Sequence, residues 1–353
     1  MRLGIWTPLP HTIRSEPRMD AAAAESRTRG AGGRPDKAFQ YAVDVLRTAE
    51  DAGFETTLIA ERFNGPDLEA WMLTSALAVE TRSIELIVAV HPGIFHPQVV
   101  AKMAVTLDQI SGGRAAVNLI NGWWRQEFDL YSNGAWLDRN DQRYERMEEF
   151  MTVLTELWTK DTPRFQGRFY RVEDGSLPST AVRRPYPPLY CSSLSPIGRD
   201  AAARLGDYWF PTQIERDDGY TDFDWTIARV AEEMADMDAR CASYGRAMRH
   251  GVSGHVIATR TREEALARAR DIHAYGDLGM MNAVVSKSMN TGLVGTYEDV
   301  AQRLLRYADI GVEFTLLHFH PMLEGLESFA EHVVPLLHAE GLRPPSGHLT
   351  GTA

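Results

Sequence analysis

Short apolar runs rich in β-branched residues alternate along this chain with longer stretches in which apolar residues recur every three or four positions. The short runs are too brief for helices and read as buried strands, and the longer stretches read as amphipathic helices. The clearest unit covers 86–120. Leu86-Ile87-Val88-Ala89-Val90 and Ala115-Ala116-Val117-Asn118-Leu119-Ile120 are the strands. Between them a helix is predicted over 99–110, with Val99, Met103, Leu107 and Ile110 on its apolar face and Ser111-Gly112-Gly113 as its stop.

The same reading predicts strands over 2–6, 56–60, 187–191, 208–210, 251–258 and 313–319. Helices are predicted over 37–52, 68–80, 141–159, 224–244, 297–310 and 323–338, with a shorter one from Gly198 to Leu205. Positions 164–172 alternate and look like a β-ribbon outside the repeat, and the aromatic stretch after Asn121 reads as a loop. Eight strands each followed by a helix predict a (β/α)8 TIM barrel in one domain over 1–340. An open doubly wound sheet would want a glycine-rich turn after its first strand, where this chain has Trp6-Thr7-Pro8-Leu9-Pro10. Two insertions interrupt the pattern: a mobile one near 12–35, and a lid-like one of weak periodicity over 270–291. A polar tail at 341–353 is expected to be disordered.

Composition narrows the partners. With 37 basic and 48 acidic residues the net charge is −11, which argues against nucleic acid or an anionic membrane surface. No apolar run approaches the ~20 residues that cross a bilayer. Cys191 and Cys241 are the only cysteines, too few and too far apart for a disulfide framework, so a reducing cytoplasm is the expected location.

In a parallel barrel the C-terminal strand ends form one mouth, and chemistry gathers there. His11, Glu61, Arg62, His91, Asn118, Trp123, Trp124, Glu127, Ser195, His255, His318 and His320 all fall at such positions. No HExxH, paired CxxC, GxSxG or phosphate-loop pattern occurs, so neither a metal centre nor a serine hydrolase is indicated. His318 and His320 share a strand face and could be a metal pair, but one packed and one mouth histidine is the favoured reading. Trp123-Trp124 suits either a stacking wall for a planar ring or an oligomer contact. Cys191, within a strand, reads as a packed residue rather than a nucleophile. The set suits a planar cofactor better than hydrolytic acid–base chemistry, without naming the cofactor.

Several stretches resemble the bacterial luciferase-like flavin-dependent enzymes, and most closely their two-component branch that cleaves C–S bonds in alkanesulfonates and dimethylsulfone. They are Val88-Ala89-Val90-His91-Pro92-Gly93, Ala101-Lys102-Met103-Ala104 to Asp108, Ser111-Gly112-Gly113-Arg114, Val117-Asn118-Leu119, and Gly122-Trp123 with Glu127. Arg143-Tyr144, Arg184-Pro185-Tyr186-Pro187-Pro188 and Leu293-Val294-Gly295-Thr296 extend the match. The resemblance implies a (β/α)8 barrel and an FMNH2-dependent monooxygenase. Reduced FMN from a separate NAD(P)H-dependent flavin reductase would react with O2 to a flavin (hydro)peroxide, which oxidises a small sulfonate or sulfone. It also implies a homodimer or homotetramer.

By position, the resemblance places the flavin against Glu61, Arg62, Asn118, Glu127, Arg143, Tyr144 and Ser195, with Asn118 near the reacting edge. His11, His255 and His320 would bind substrate or move protons, and His91, Trp123, Ser253 and Lys287 would complete the substrate pocket. The alkanesulfonate enzyme has an arginine where Ser253 stands and a tyrosine where His320 stands; losing that arginine removes the strongest donor for a sulfonate. The same barrel also serves oxygenation of nitrogen heterocycles, deazaflavin (F420) hydride transfer and non-catalytic flavin binding. The motif at Gly122-Trp123 with Glu127 favours FMN.

Overall fold

The computed structural model describes residues 1–9, 37–64, 67–122, 124–173, 175–211, 222–275 and 289–342. Its elements run β1 (Gly4–Trp6), α1 (Lys37–Asp51), β2 (Thr56–Ile59), α2 (Ala70–Glu80), β3 (Glu85–Val90), α3 (Pro97–Ser111), β4 (Ala115–Leu119), α4 (Arg125–Tyr131) and α5 (Asn140–Thr159). Then follow β5 (Phe165–Gln166), β6 (Arg171–Val172), β7 (Leu189–Cys191), α6 (Pro196–Leu205), β8 (Tyr208–Trp209), α7 (Phe223–Ser243), β9 (Arg249–Thr259) and α8 (Arg262–Tyr275). The chain closes with β10 (Val294–Thr296), α9 (Tyr297–Asp309), β11 (Phe314–Phe319), α10 (Met322–His332) and α11 (Val334–Ala339).

Every predicted strand is present. Strands β1, β2, β3, β4, β7, β8, β9 and β11 pair in parallel in that order, and β11 pairs back onto β1 to close the barrel. Registers such as Ile5↔Thr57, Ile87↔Ala116 and Asn118↔Tyr190 put alternate side chains on the same face. Leu58, Ile87, Ala116, Tyr190, Phe314 and Leu316 therefore fill the interior, while Ile59, Val88, Val117 and Leu189 pack outward under the helices. β5 and β6 form the expected antiparallel ribbon.

The N-terminal end of the barrel is sealed by a buried polar layer. Arg2 donates to Glu85 at 3.4 Å and to the Tyr190 hydroxyl at 3.0 Å; that hydroxyl donates to Glu85 at 2.5 Å. Thr56 and Arg183 also donate to Glu85. Burial alone would push the Glu85 carboxyl up, but Arg183, then Arg2 and Tyr190, outweigh it and hold its pKa at about 2.

Five expectations change. The buried face of α3 is Val100, Ala101, Ala104, Val105 and Leu107, and Val99 and Ile110 are exposed. Small residues at 101 and 104 let the helix approach closely, so the core takes that face rather than the one with the larger side chains. The stretch after Asn121 contains the short helix α4 rather than only a loop. Residues 270–275 belong to α8, not to an irregular insertion. A ninth strand, β10, extends the far end of β9 through Val294↔Ile257. The predicted closing helix breaks at Val333, because Pro335 is tolerated only in the first turn of a new helix, α11. The insertion at 12–35 and the tail from 343 lie outside the described residues, as does 276–288 of the lid-like stretch.

Candidate active site

The predicted residues that are described lie at or near the C-terminal ends of the barrel strands and in the segments that follow them, most of them in three local clusters. Asn118, on β4, is 1% exposed, yet neither its Nδ2 nor its Oδ1 finds a partner. An inward amide with four unmet hydrogen-bonding positions is costly unless something enters the mouth to meet it.

The first cluster joins Glu61, Arg62, His91 and Glu127. Glu61 accepts from the Ala70 N–H at 3.2 Å through Oε2, while its Oε1 has no partner. Burial, and then the neighbouring Glu69 carboxylate, push its pKa up to about 8, which favours the protonated carboxyl. His91 lies between the carbonyls of Ile120 (3.3 Å) and Glu61 (3.4 Å), and burial lowers its pKa. A neutral imidazole can donate to only one of the two. Arg62 stacks on the Trp124 indole with Cζ 3.2 Å from the ring centre and pairs with Glu127 at 3.5 Å. Glu127 also accepts from the Asn64 N–H at 3.1 Å. Trp124 therefore meets a cation within the chain, and Trp123 lies outside the described residues.

The second cluster sits at the start of α6. Ser195 caps that helix and accepts from the Gly198 N–H at 3.3 Å. The Tyr144 ring presses so closely on Gly198 that a Cβ there would lie 2.5 Å from it, so only glycine leaves this helix end open to Tyr144. Pro196 has no N–H and the Gly198 and Arg199 N–H groups already bond Ser195, so what this helix start offers an anion is the positive end of its dipole beside the Tyr144 phenol. Arg143 is tied mainly to its own loop, with Nε left without a partner. It donates to the Leu137 and Asp138 carbonyls and to Asn140, and lies over Trp136 at 4.3 Å, holding the α4–α5 loop.

The third cluster lines the floor on the β1, β9 and β11 side. The Trp6 indole N–H donates to the Ser253 hydroxyl at 2.9 Å. His318 is stacked on His255, ring centres 4.4 Å apart, with Trp6 stacked on its other side at 6.4 Å. Burial, with His320 adding, drops the His318 pKa to about 3. His320 lines a cleft of about 190 Å³ shared with Thr259, Tyr297 and Glu324, which His255 does not line. Burial lowers the pKa of His320 as well. His11 and Lys287 lie outside the described residues. Among the described residues no group of three or more His, Cys, Asp or Glu could hold a metal.

Sequence reading passed over Trp6, whose signal was an indole at the end of β1, whereas the reading of His318 and His320 as one packed and one mouth histidine agrees with a buried His318 and a His320 that lines a cleft. It also passed over Arg146, one turn beyond Arg143, which is buried.

The profile of one protein family, luciferase-like monooxygenase, matches residues 19–313. An FMNH2-dependent dimethylsulfone monooxygenase of Pseudomonas putida is 32% identical over 332 residues, 85% of this chain and 88% of that protein. One of Pseudomonas fluorescens (strain Pf0-1) bearing the same name is 30% identical, covering 86% of this chain and 88% of that protein. Among solved structures, a riboflavin lyase with modified FMN and riboflavin superposes with a TM-score of 0.76, at 18% identity, over 99% of this chain and 93% of that one.

Proposed function

The chain belongs to the luciferase-like monooxygenase family, and from that premise we propose that it uses reduced FMN and O2 to oxidise a small uncharged organosulfur compound, a sulfone, with cleavage of a C–S bond. The observation that carries the reading is Asn118, an inward, buried amide on β4 with no partner. Its relatives' activity on dimethylsulfone supplies the substrate class.

The residues present fit FMN. Asn118 would meet the polar edge of the ring system, and Ser195 and Tyr144 would hold the phosphate at the start of α6. Arg62, fixed by Trp124 and Glu127, would wall the ring system. When bound, reduced FMN supplies the electrons that activate O2. The chain then has to orient substrate, keep water away and manage protons. Glu61, whose carboxyl burial pushes toward its protonated form, would hold a proton beside His91. The Trp6, His318 and His255 stack gives the floor flat, neutral faces. A sulfonate would want fixed cations there; His318 stays neutral, and Ser253 occupies the position where the alkanesulfonate enzyme carries arginine. A neutral sulfone needs only hydrogen-bond donors, which His255 and Ser253 can provide. Cleavage of one C–S bond in dimethylsulfone by one oxygen atom of O2 gives methanesulfinate and formaldehyde, with the second oxygen atom leaving as water.

Electrons would come from a separate NAD(P)H-dependent flavin reductase. Exposed Met72 and Val79 on α2, with Val99 and Ile110 on α3, support assembly as a homodimer or homotetramer. No helix among the described residues is long and apolar enough to cross a membrane.

The test is oxygen uptake with reduced FMN and dimethylsulfone, with methanesulfinate measured as product. Stoichiometric sulfinate is the expected result. Turnover of an alkanesulfonate instead, or reduction with reduced F420 and no oxygen uptake, would contradict the proposal.

A further inference from the structure

Outside the three clusters, α5 carries a buried cation with no anionic partner. Arg146 is 4% exposed and forms no ion pair with any described carboxylate. It lies two residues, about 200° around the helix, from Tyr144, and so away from the start of α6. Its Nη1 donates to the Ala135 carbonyl at 2.6 Å, but neither Nε nor Nη2 has a partner. Those two N–H groups form one edge of the guanidinium, the edge that meets a pair of oxyanion oxygens side by side.

Comparison with Arg114, also buried, sharpens the point. Every nitrogen of the Arg114 guanidinium donates to an oxygen of the chain, from Ser111, Thr81, Ile84 and Ala78, which is how an arginine serves a purely structural end. Arg146 uses one nitrogen of three. The surroundings close over the guanidinium without meeting its other N–H groups. Gly93, at φ +103, lies against the guanidinium so closely that a Cβ would be 2.3 Å from Cζ. Phe128 covers Arg146 at 5.5 Å. Tyr170, in the turn of the β-ribbon, is buried; its hydroxyl makes no side-chain hydrogen bond, lies near the Gly93 backbone and is close enough to act electrostatically on the guanidinium. Burial lowers the Arg146 pKa, and the Arg143 cation adds to that, the signature of a positive charge short of a counterion.

We propose that the Nε–Nη2 edge of Arg146, with the Tyr170 hydroxyl, binds a small tetrahedral oxyanion of the sulfate or phosphate class. Two guanidinium donors beside a hydroxyl that can donate a third hydrogen bond favour an anion with several oxygens. The oxyanion is either free or the phosphate of a bound flavin; the second source would seat that phosphate against α5 rather than at the start of α6.

The test is thermal denaturation of the purified full chain against sulfate and inorganic phosphate, with chloride at matched ionic strength, and binding of FMN against riboflavin by fluorescence. A saturable rise in Tm with sulfate or phosphate is expected. Arg146→Lys, which keeps the charge and loses the fork, should weaken the response about 10- to 100-fold. Tyr170→Phe should weaken it less, about three- to tenfold. If the site takes the flavin phosphate, sulfate competes with FMN but not riboflavin, and the preference for FMN falls in both variants. If it takes a free oxyanion, that preference is unchanged while the Tm response is lost. Equal responses to sulfate and chloride, or a sulfate response and FMN preference both untouched by Arg146→Lys, would overturn the proposal. Should Arg146→Lys fail to fold, Tyr170→Phe carries the same reading.

Discussion

The two ends of this barrel are lined by similar residue types and treat them in opposite ways. At the N-terminal end, Glu85 receives hydrogen bonds from Arg2, Arg183, Tyr190 and Thr56, and none of these side chains leaves a buried polar atom without a partner. At the C-terminal end, Asn118 and Asn121 leave buried amide atoms unmet and Glu61 leaves a carboxyl oxygen unmet. The titratable groups follow. Glu85 is held ionised by its partners, while Glu61 and His318 are pushed to their neutral forms by burial. Buried polar groups that the chain satisfies itself contribute to stability; those it leaves unsatisfied cost stability and point to a ligand.

The largest effect should come from breaking the satisfied end. Glu85→Ala strands two buried arginines and is expected to cost roughly 3–5 kcal/mol, read as a lower midpoint in denaturant with flavin binding per folded molecule unchanged. Breaking the other end should do the reverse. Asn118→Ala is expected to keep its denaturation midpoint and to lose sulfone oxidation by about 10²- to 10³-fold, measured as sulfinate formed per oxygen consumed.

The ends should also separate by pH. Glu85, with its folded pKa depressed to about 2, contributes stability above the unfolded value near 4.5 that is lost as pH falls toward 2. Glu61, with its folded pKa raised to about 8, behaves oppositely: its contribution is complete below about 4.5 and is lost as pH rises through 8. Glu61→Gln should therefore flatten the alkaline limb of the stability curve, an effect on the order of a few kcal/mol between pH 5 and 9, and leave the acid limb unchanged. An unaltered alkaline limb would remove Glu61 from that account.

The contrast was only half legible in the sequence. Strands such as 86–90 and 115–119 are continuous apolar runs because a parallel strand is covered on both faces, and that made the barrel readable. Asn118 was readable because it interrupts such a run. Helix α4 was hidden because Trp124, Arg125 and Glu127 look like loop chemistry, and the face of α3 was misjudged because close packing preferred Ala101 and Ala104 to Val99. The pairing of Glu85 with Arg2 and Arg183 joins residues up to 98 positions apart, and no local pattern announces it. Arg146 sits between Tyr144 and Met147 like any solvated helix charge until Gly93 and Phe128 close over it.

The smallest expected effect sharpens the boundary of the site. Trp124→Ala removes the stack on Arg62 and should weaken flavin binding about three- to thirtyfold, a loss of ~0.5–2 kcal/mol, without changing stability beyond the same amount.

The claim that the unsatisfied end is the ligand's end is tested most directly by anaerobic titration of reduced FMN into wild-type, Asn118→Ala and Glu85→Gln proteins, followed by tryptophan fluorescence. The expected result is binding at least about tenfold weaker in Asn118→Ala, as loss of roughly one hydrogen bond to a buried group implies, and unchanged affinity in the folded fraction of Glu85→Gln. Equal affinity in wild type and Asn118→Ala, or a loss confined to Glu85→Gln, would contradict it.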